Sequence, residues 1–488
     1  MNNMSALELS AAIKEKKLTV TEAVESYIET IEKKDGEINA FINVIKDNAL
    51  LEAREVELRL KNGEILSPLA GVPIALSDNI STKDIETTSA SKMLKGYIPV
   101  FSATVVERLK QAGLIIIGKL NMSEFGIEGA GGTSAFGPVH NPLDTSLFSG
   151  GSSPGSAAAV AAGQAPLSLG TDSGGGLREC SFCGVTAIKP TYGAVSRHGL
   201  IANASSMEQI GPVGRNINDL AALLSIISGK DGRDGTCILE KPFEFGGKKD
   251  GRLDGIKIGL QRNMPEGGTA AIGINDNVKK AITDAAKEFE SAGAIVEQFD
   301  MPLSEFIFPV WNIIASAELS SNLGRYDGLK YGYRSPNAKT LSETYRLSRG
   351  EGFGFEVKKR IMFGSMMLSS NYYDSCFRKA LQARTLIKNE YEKLFSRFDV
   401  LLSPVMPNTL GENGDASTRL ETLITYNAAA NLAGFPSVSL PCGFDGLPIG
   451  MQLTGKAFAE EKLISSAMVY QKITDHHTRF LGEKGAPA

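Results

Sequence analysis

Two runs of small residues carry the chemistry that this sequence can support. The first is Gly150-Gly151-Ser152-Ser153-Pro154-Gly155-Ser156; the second, beyond an alanine-rich stretch, is Gly170-Thr171-Asp172-Ser173-Gly174-Gly175-Gly176-Leu177-Arg178. Glycine lets backbone approach a reacting group closely, and main-chain N–H groups stabilise a developing oxyanion without help from side chains. The N–H groups of Ser173, Gly174, Gly175 and Gly176 are therefore candidates for an oxyanion-binding pocket. Glu179 and Cys180 follow directly, a carboxylate suited to acid/base work and a thiol that is intrinsically a stronger nucleophile than a hydroxyl. A cysteine beside a glycine-rich turn is also common core filler, so both readings of Cys180 stand. Asp172 and Arg178 flank the glycines and have the charges to pair and brace the loop.

These runs resemble the signature of the amidase signature family, in which a serine nucleophile, a serine on a cis peptide and a lysine form one hydrogen-bonded line. Position by position, the cis-serine corresponds to Ser152. The nucleophile that closes Asp-x-Gly-Gly-Ser corresponds to Gly176. The lysine before Asp-Asn in Gly-x-Pro-x-x-x-Lys-Asp corresponds to Ser77, within Gly71-Val72-Pro73-Ile74-Ala75-Leu76-Ser77-Asp78-Asn79. The resemblance extends through Gly118-Lys119-Leu120-Asn121-Met122-Ser123-Glu124-Phe125, Ser134-Ala135-Phe136-Gly137-Pro138, Lys189-Pro190-Thr191-Tyr192-Gly193 and Asn431-Leu432-Ala433-Gly434. Tyr331-Gly332-Tyr333-Arg334 and Ser348-Arg349-Gly350-Glu351-Gly352-Phe353-Gly354 are particularly similar to one branch, the A subunits of glutamyl-tRNA(Gln) amidotransferase, which release ammonia from glutamine for a partner.

Against that pattern the chain has lost two of three catalytic groups. A serine hydroxyl is a weak nucleophile until a base takes its proton, and Ser152 has neither the lysine on one side nor the attacking oxygen on the other. Removing a core member of such a unit costs up to about a million-fold in turnover in a well-studied serine hydrolase. The resemblance also implies substrate-pocket changes. An aspartate that holds the glutamine ammonium corresponds to Ile424, and a Tyr-Tyr pair corresponds to Trp311-Asn312. An arginine for the glutamine carboxylate falls at Lys359 or Arg360. The segment Arg178-Glu179-Cys180-Ser181-Phe182-Cys183-Gly184 is one residue shorter than its counterpart. Losing the carboxylate removes the charge complementarity that selects free glutamine.

Three readings follow. The first is a repurposed enzyme performing acyl or amide-bond chemistry on a small metabolite with the retained oxyanion pocket. Glu179 or Cys180 would be its reactive group, Ser77 and Ser152 would orient, and Ser153, Asp172, Arg178, Trp311, Asn312, Lys359, Arg360 and Ile424 would line its substrate site. The second is a catalytically inactive scaffold, ligand-binding or regulatory protein, since fold does not dictate function. The third is an inactive amidotransferase A subunit within a complex.

Other chemistries find less support. Cys180-x-x-Cys183 has no second cysteine or histidine pair to complete a zinc site, and His476-His477 stands alone near the C-terminus, so neither a metal nor another cofactor is expected. The glycine runs contain neither a Walker lysine nor a Rossmann fingerprint. Lys119 follows an apolar strand and is expected to be structural, because the family has a lysine there beside its catalytic one.

Composition agrees with an ordinary globule: 488 residues, 42% hydrophobic and 22% charged. A net charge of -4 argues against direct nucleic-acid binding. Five scattered cysteines, no signal-like N-terminus and no membrane-length apolar run lead to a cytoplasmic expectation, with a protein partner or homo-oligomer open. Apolar spacing predicts helices over 5–16, 21–33, 276–292, 378–395 and 460–472 and strands over 114–117, 256–260, 400–404 and 437–440, with a turn at 443–446. The fold class expected is α/β. The resemblance implies one amidase-signature domain over 1–488, a signature core over about 70–215 and a large central mixed sheet with helices on both faces. A surface excursion is expected over 230–275, including the turns of 246–251.

Overall fold

In the computed structural model, residues 4–127, 132–246, 251–262, 274–409 and 416–479 are described. Thirteen strands occur among them: β1 (Phe41–Val44), β2 (Pro73–Ser77), β3 (Ile115–Leu120), β4 (His140–Asn141), β5 (Asp144–Phe148), β6 (Leu167–Asp172), β7 (Thr186–Lys189), β8 (Gln209–Gly214), β9 (Lys257–Gln261), β10 (Ile295–Phe299), β11 (Val400–Pro404), β12 (Ser437–Asp445) and β13 (Leu447–Gly455). Eleven form one sheet in the order β1-β3-β2-β6-β8-β7-β12-β13-β11-β9-β10, while β4 and β5 make a separate hairpin. The sheet is mixed: β2 runs parallel to β3 and β6, and β8 and β7 run antiparallel to their neighbours.

Strand alternation explains why helices cover both faces. Side chains two apart share a face, and Ile74 and Leu76 of β2 and Ile116 of β3 join one buried cluster with Val105, Leu109 and Leu224. Ala75, Ile115 and Ile117 point the other way, into a cluster with Val24, Tyr27 and Ile28. A strand buried on both sides must read as a continuous apolar run, as β2 and β3 do.

The helices begin where the sequence provides caps. Ser5 with Glu8 and Thr19 with Glu22 form capping boxes for the helices Ala6–Lys14 and Val20–Ile38. The expected helices near 276, 378 and 460 occur as Asp276–Ser291, Arg378–Leu394 and Glu460–Ile473.

Two expectations need revising. The turn at 443–446 is tighter than the glycine spacing suggests. Pairing of β12 with β13 continues to Asp445 opposite Leu447, with a register shift between Pro441 and Gly443, and Gly446 alone turns the chain at φ +67°. The 230–275 segment contains β9, which pairs with β10 and β11 inside the sheet; its positions 247–250 and 263–273, with most of the 246–251 turns, lie outside the described residues. Among the described residues no helix is long and apolar enough to cross a membrane.

Candidate functional site

The two small-residue runs meet at the carboxyl ends of the parallel strands β2 and β6, where crevices of α/β sheets form. β2 ends at Ser77 and β6 ends at Asp172. Ser152 and Ser153 immediately precede the helix Pro154–Ala161, and the Gly151–Ser152 peptide bond is cis. That helix can seat here because Gly155 has no side chain: a Cβ there would lie 2.7 Å from Ala40 O and 2.9 Å from Asn121 N. Ser153 fixes the loop to β6, its hydroxyl donating to Thr171 O (2.8 Å) and accepting from Thr171 N–H (2.9 Å).

Asp172 organises the glycine loop. Its carboxylate accepts from the N–H groups of Gly175 (3.0 Å) and Leu177 (2.8 Å) and from Asn431 Nδ2 (2.8 Å), and it pairs with Arg178 at 2.9 Å. Arg178 is wholly buried and its guanidinium also donates to Asn427 O (3.0 Å) and to Asn431 Oδ1. A buried charge is tolerable only when paired and hydrogen-bonded. This pair brings its own asparagines, from the helix Ala416–Ala433. Of the four N–H groups proposed for an oxyanion pocket, that of Gly175 is engaged by Asp172. Those of Ser173, Gly174 and Gly176 have no hydrogen-bond partner among the described residues.

The glycines of this loop leave no room for a side chain at positions 174 and 176. A Cβ on Gly176 would collide with Ser152 Oγ and stand 2.8 Å from Ser152 N, so the cis-serine packs directly on the position where a nucleophile's side chain would begin. A Cβ on Gly174 would stand 2.7 Å from Trp311 Nε1, 2.8 Å from Trp311 Cε2 and 2.9 Å from Ile424 Cδ1. Trp311 donates to Ser173 O at 2.9 Å. Both Trp311 (3% exposed) and Ile424 (0%) belong to a buried apolar cluster with Ile307, Ile314 and Ala428. Arg360 turns inward, its guanidinium 5.0 Å above the Trp311 ring, and donates to Asn312 Oδ1 and Ser316 Oγ. Lys359 is directed outward, side chain 65% exposed, and pairs with Glu356. Of the two cations left open by the sequence, Arg360 is the one beside the site.

The remaining candidates are held in structural contacts. Ser77 Oγ donates to the Met122 thioether (3.4 Å), a weak acceptor. Glu179 is buried and its carboxylate accepts from Gly151 N–H (3.1 Å), tying it to the loop before Ser152. Cys180 lies in an apolar cluster with Ala157, Val160, Leu177 and Val185. Burial pushes its thiol well above the ordinary range, with the neighbouring Cys183, Glu179 and Asp172 adding to the effect, the reverse of an activated thiolate.

Lys119 is fully buried, and burial lowers it to about 8 against the opposing charge of Asp78, 3.8 Å away. It donates to Ile80 O (2.5 Å) and Thr87 Oγ1 (2.9 Å). In the register of β2 and β3, Lys119 pairs with Leu76 and Leu120 with Ser77, so Lys119 and Ser77 emerge on opposite faces of the sheet.

The comparisons with known proteins agree with this architecture. The amidase family model matches residues 22–464. The chain belongs to the amidase signature family. Among amidase-family relatives, the A subunit of glutamyl-tRNA(Gln) amidotransferase from Lachnoclostridium phytofermentans is 45% identical over 486 residues, covering 97% of each chain. The crystal structure of the corresponding A subunit from Thermotoga maritima superimposes with a TM-score of 0.74 at 34% identity, covering 94% of this chain and 95% of the other. A bacterial aryl acylamidase of the amidase signature family gives a TM-score of 0.83 at 25% identity over 99% of both chains.

Within this amidase-signature frame, sequence reading missed Asn427 and Asn431, which complete the Asp172–Arg178 network. The Asn431-Leu432-Ala433-Gly434 motif was visible, but nothing in it says that the side chain crosses to a loop more than 250 positions earlier. Met122, which takes the Ser77 hydroxyl, was likewise hidden inside a family segment.

Proposed function

We propose that this chain is the A-type member of an amidotransferase-like assembly, that it has given up the acyl-serine chemistry of its family, and that its role there is non-catalytic. The observation that carries this reading is the filled loop. Ser152 occupies the approach to Gly176, while Trp311 and Ile424 close over Gly174. An oxyanion pocket works only where the reacting carbonyl oxygen can reach its donors, and a base is equally needed, whereas Ser77 offers only a hydroxyl bound to sulfur. The relatives' role as one lettered subunit of an amidotransferase supports a protein partner.

The repurposed-enzyme reading, first in the sequence analysis, retains one supporting observation: the N–H groups of Gly174 and Gly176 have no partner among the described residues. It lacks a group to act with them, since Cys180 is held as thiol and Glu179 is bound to the Gly151 backbone.

The test is amide hydrolysis by the wild type, by Ser77→Lys/Gly176→Ser, and by that pair with Trp311→Tyr and Ile424→Asp added, using glutamine and simple aryl and alkyl amides. The wild type and the restored pair stay silent, and activity appears only when the covering residues are also replaced. Wild-type turnover that survives repurification and disappears in Glu179→Gln would replace this reading by the repurposed enzyme.

A further inference from the structure

The helix Phe355–Met367 has two unlike faces. Val357, Arg360, Gly364 and Met367 are buried. At Gly364 the helix meets the helix Ser304–Asn322 backbone to backbone: a Cβ there would collide with Ser316 O and lie 2.9 Å from Ala317 N. The opposite face exposes Phe355 (74%), Met362 (73%) and Met366 (42%), and Tyr372 and Tyr373 continue beyond the helix end at 41% and 44%. Spacings of seven and four place Phe355, Met362 and Met366 on one stripe. Large apolar side chains this exposed and aligned mark interaction surfaces, and methionine is the side chain that adapts to a partner's contour.

Charge around the stripe identifies the chemistry of what covers it. Lys358, Lys359, Arg378 and Lys379 outnumber Glu356 and Asp374, whose carboxylates pair with Lys359 and Arg378. That rim carries an excess of +2 in a chain whose net charge is -4. A second copy docked through a twofold axis would oppose this cationic rim to itself.

We infer that the Phe355–Tyr373 stripe docks a different polypeptide presenting an apolar helix face edged with carboxylates. The proposal rests on the reading of the chain as a non-catalytic member of an assembly, to which it gives a contact surface. The surface also backs onto the site: the same helix carries Arg360, which stacks on Trp311 over the glycine loop.

The experiment uses the full chain and two fluorescent 18-residue amphipathic helical peptides with the same leucine face, one edged with glutamate and one with lysine. Anisotropy is read for wild type, Met362→Glu and Phe355→Glu/Met362→Glu, with circular dichroism establishing that each variant is folded. The expected result is binding of the glutamate peptide at least tenfold tighter than the lysine peptide, weakened by salt and lost in both variants. Equal binding of the two peptides, no binding, or binding unchanged in the variants overturns the proposal. So does a wild-type dimer in light scattering that Met362→Glu dissociates, which assigns the face to a second copy, or sedimentation with phosphatidylserine vesicles, which assigns it to a membrane. Amide hydrolysis measured on the same samples separates failure of this proposal from failure of the non-catalytic reading.

Discussion

Returning a serine to position 176 has a calculable cost in so full a loop. Gly176 does not have a left-handed φ, so a side chain there is limited by space and not by backbone conformation. The new Cβ would meet Ser152 Oγ, which can rotate away, and Ser152 N at 2.8 Å, about 0.6 Å inside the 3.4 Å at which ordinary contact begins, which cannot. The Gly151–Ser152 peptide must therefore yield. The hydrogen bond from Gly151 N–H to Glu179 is already 3.1 Å long and does not survive a displacement of that size. Overpacking of this kind costs ~1–3 kcal/mol, and loss of a buried hydrogen bond places Gly176→Ser in the upper half of that range. The assay is urea unfolding followed by far-UV circular dichroism, with a lowered midpoint at unchanged slope. Glu179→Gln then adds less destabilisation in the Gly176→Ser background than alone, because both act through one contact. A Gly176→Ser protein within about 0.5 kcal/mol of wild type would refute the reasoning.

Three further outcomes follow from the same geometry. Trp311 is the only tryptophan and is 3% exposed, so its fluorescence resists iodide quenching in the native protein and becomes quenchable on unfolding; native quenching would mean an open pocket. At pH 8 the half-exposed Cys376 reacts with a thiol reagent while Cys180 does not, as peptide mapping of the labelled protein would reveal, and fast native labelling of Cys180 would contradict its burial. Burial raises Glu124 to about 7, above its unfolded value near 4.5, against hydrogen bonds from Ser91 Oγ and Gly354 N–H. Its protonated form therefore stabilises the fold fully below the unfolded value, and that contribution is lost as pH rises toward and through 7. The decline in unfolding midpoint between pH 4.5 and 7.5 is then shallower in Glu124→Gln, and an unchanged profile would exclude Glu124 as its source.

The parts of this architecture legible in the sequence were those written locally. Apolar periodicity over 5–16 and 21–33 announced the helices Ala6–Lys14 and Val20–Ile38. The apolar run at 114–117 announced β3. The motif positions Ser77, Ser152 and Gly176 were identifiable because family segments fix them by spacing. What surrounds them was not. Nothing local to Trp311 or Ile424 says that both pack on Gly174, contacts that span 137 and 250 positions. Cys180 read as a plausible nucleophile because reactivity depends on the cluster around a thiol, and that cluster is assembled by folding. Lys359 and Arg360 could not be separated by alignment to a motif, whereas the step of about 100° between neighbours on a helix turns one outward and the other inward.

The most direct test of the central claim is steady-state amide hydrolysis by the purified wild-type chain, over glutamine and a panel of aryl and alkyl amides, against a Ser152→Ala control. The expected rates are indistinguishable between the two proteins, at background. Turnover by the wild type that Ser152→Ala abolishes would contradict the account, because it would place a working hydroxyl, and a base to activate it, beside a position where Gly176 carries no nucleophile and Ser77 stands in place of the lysine.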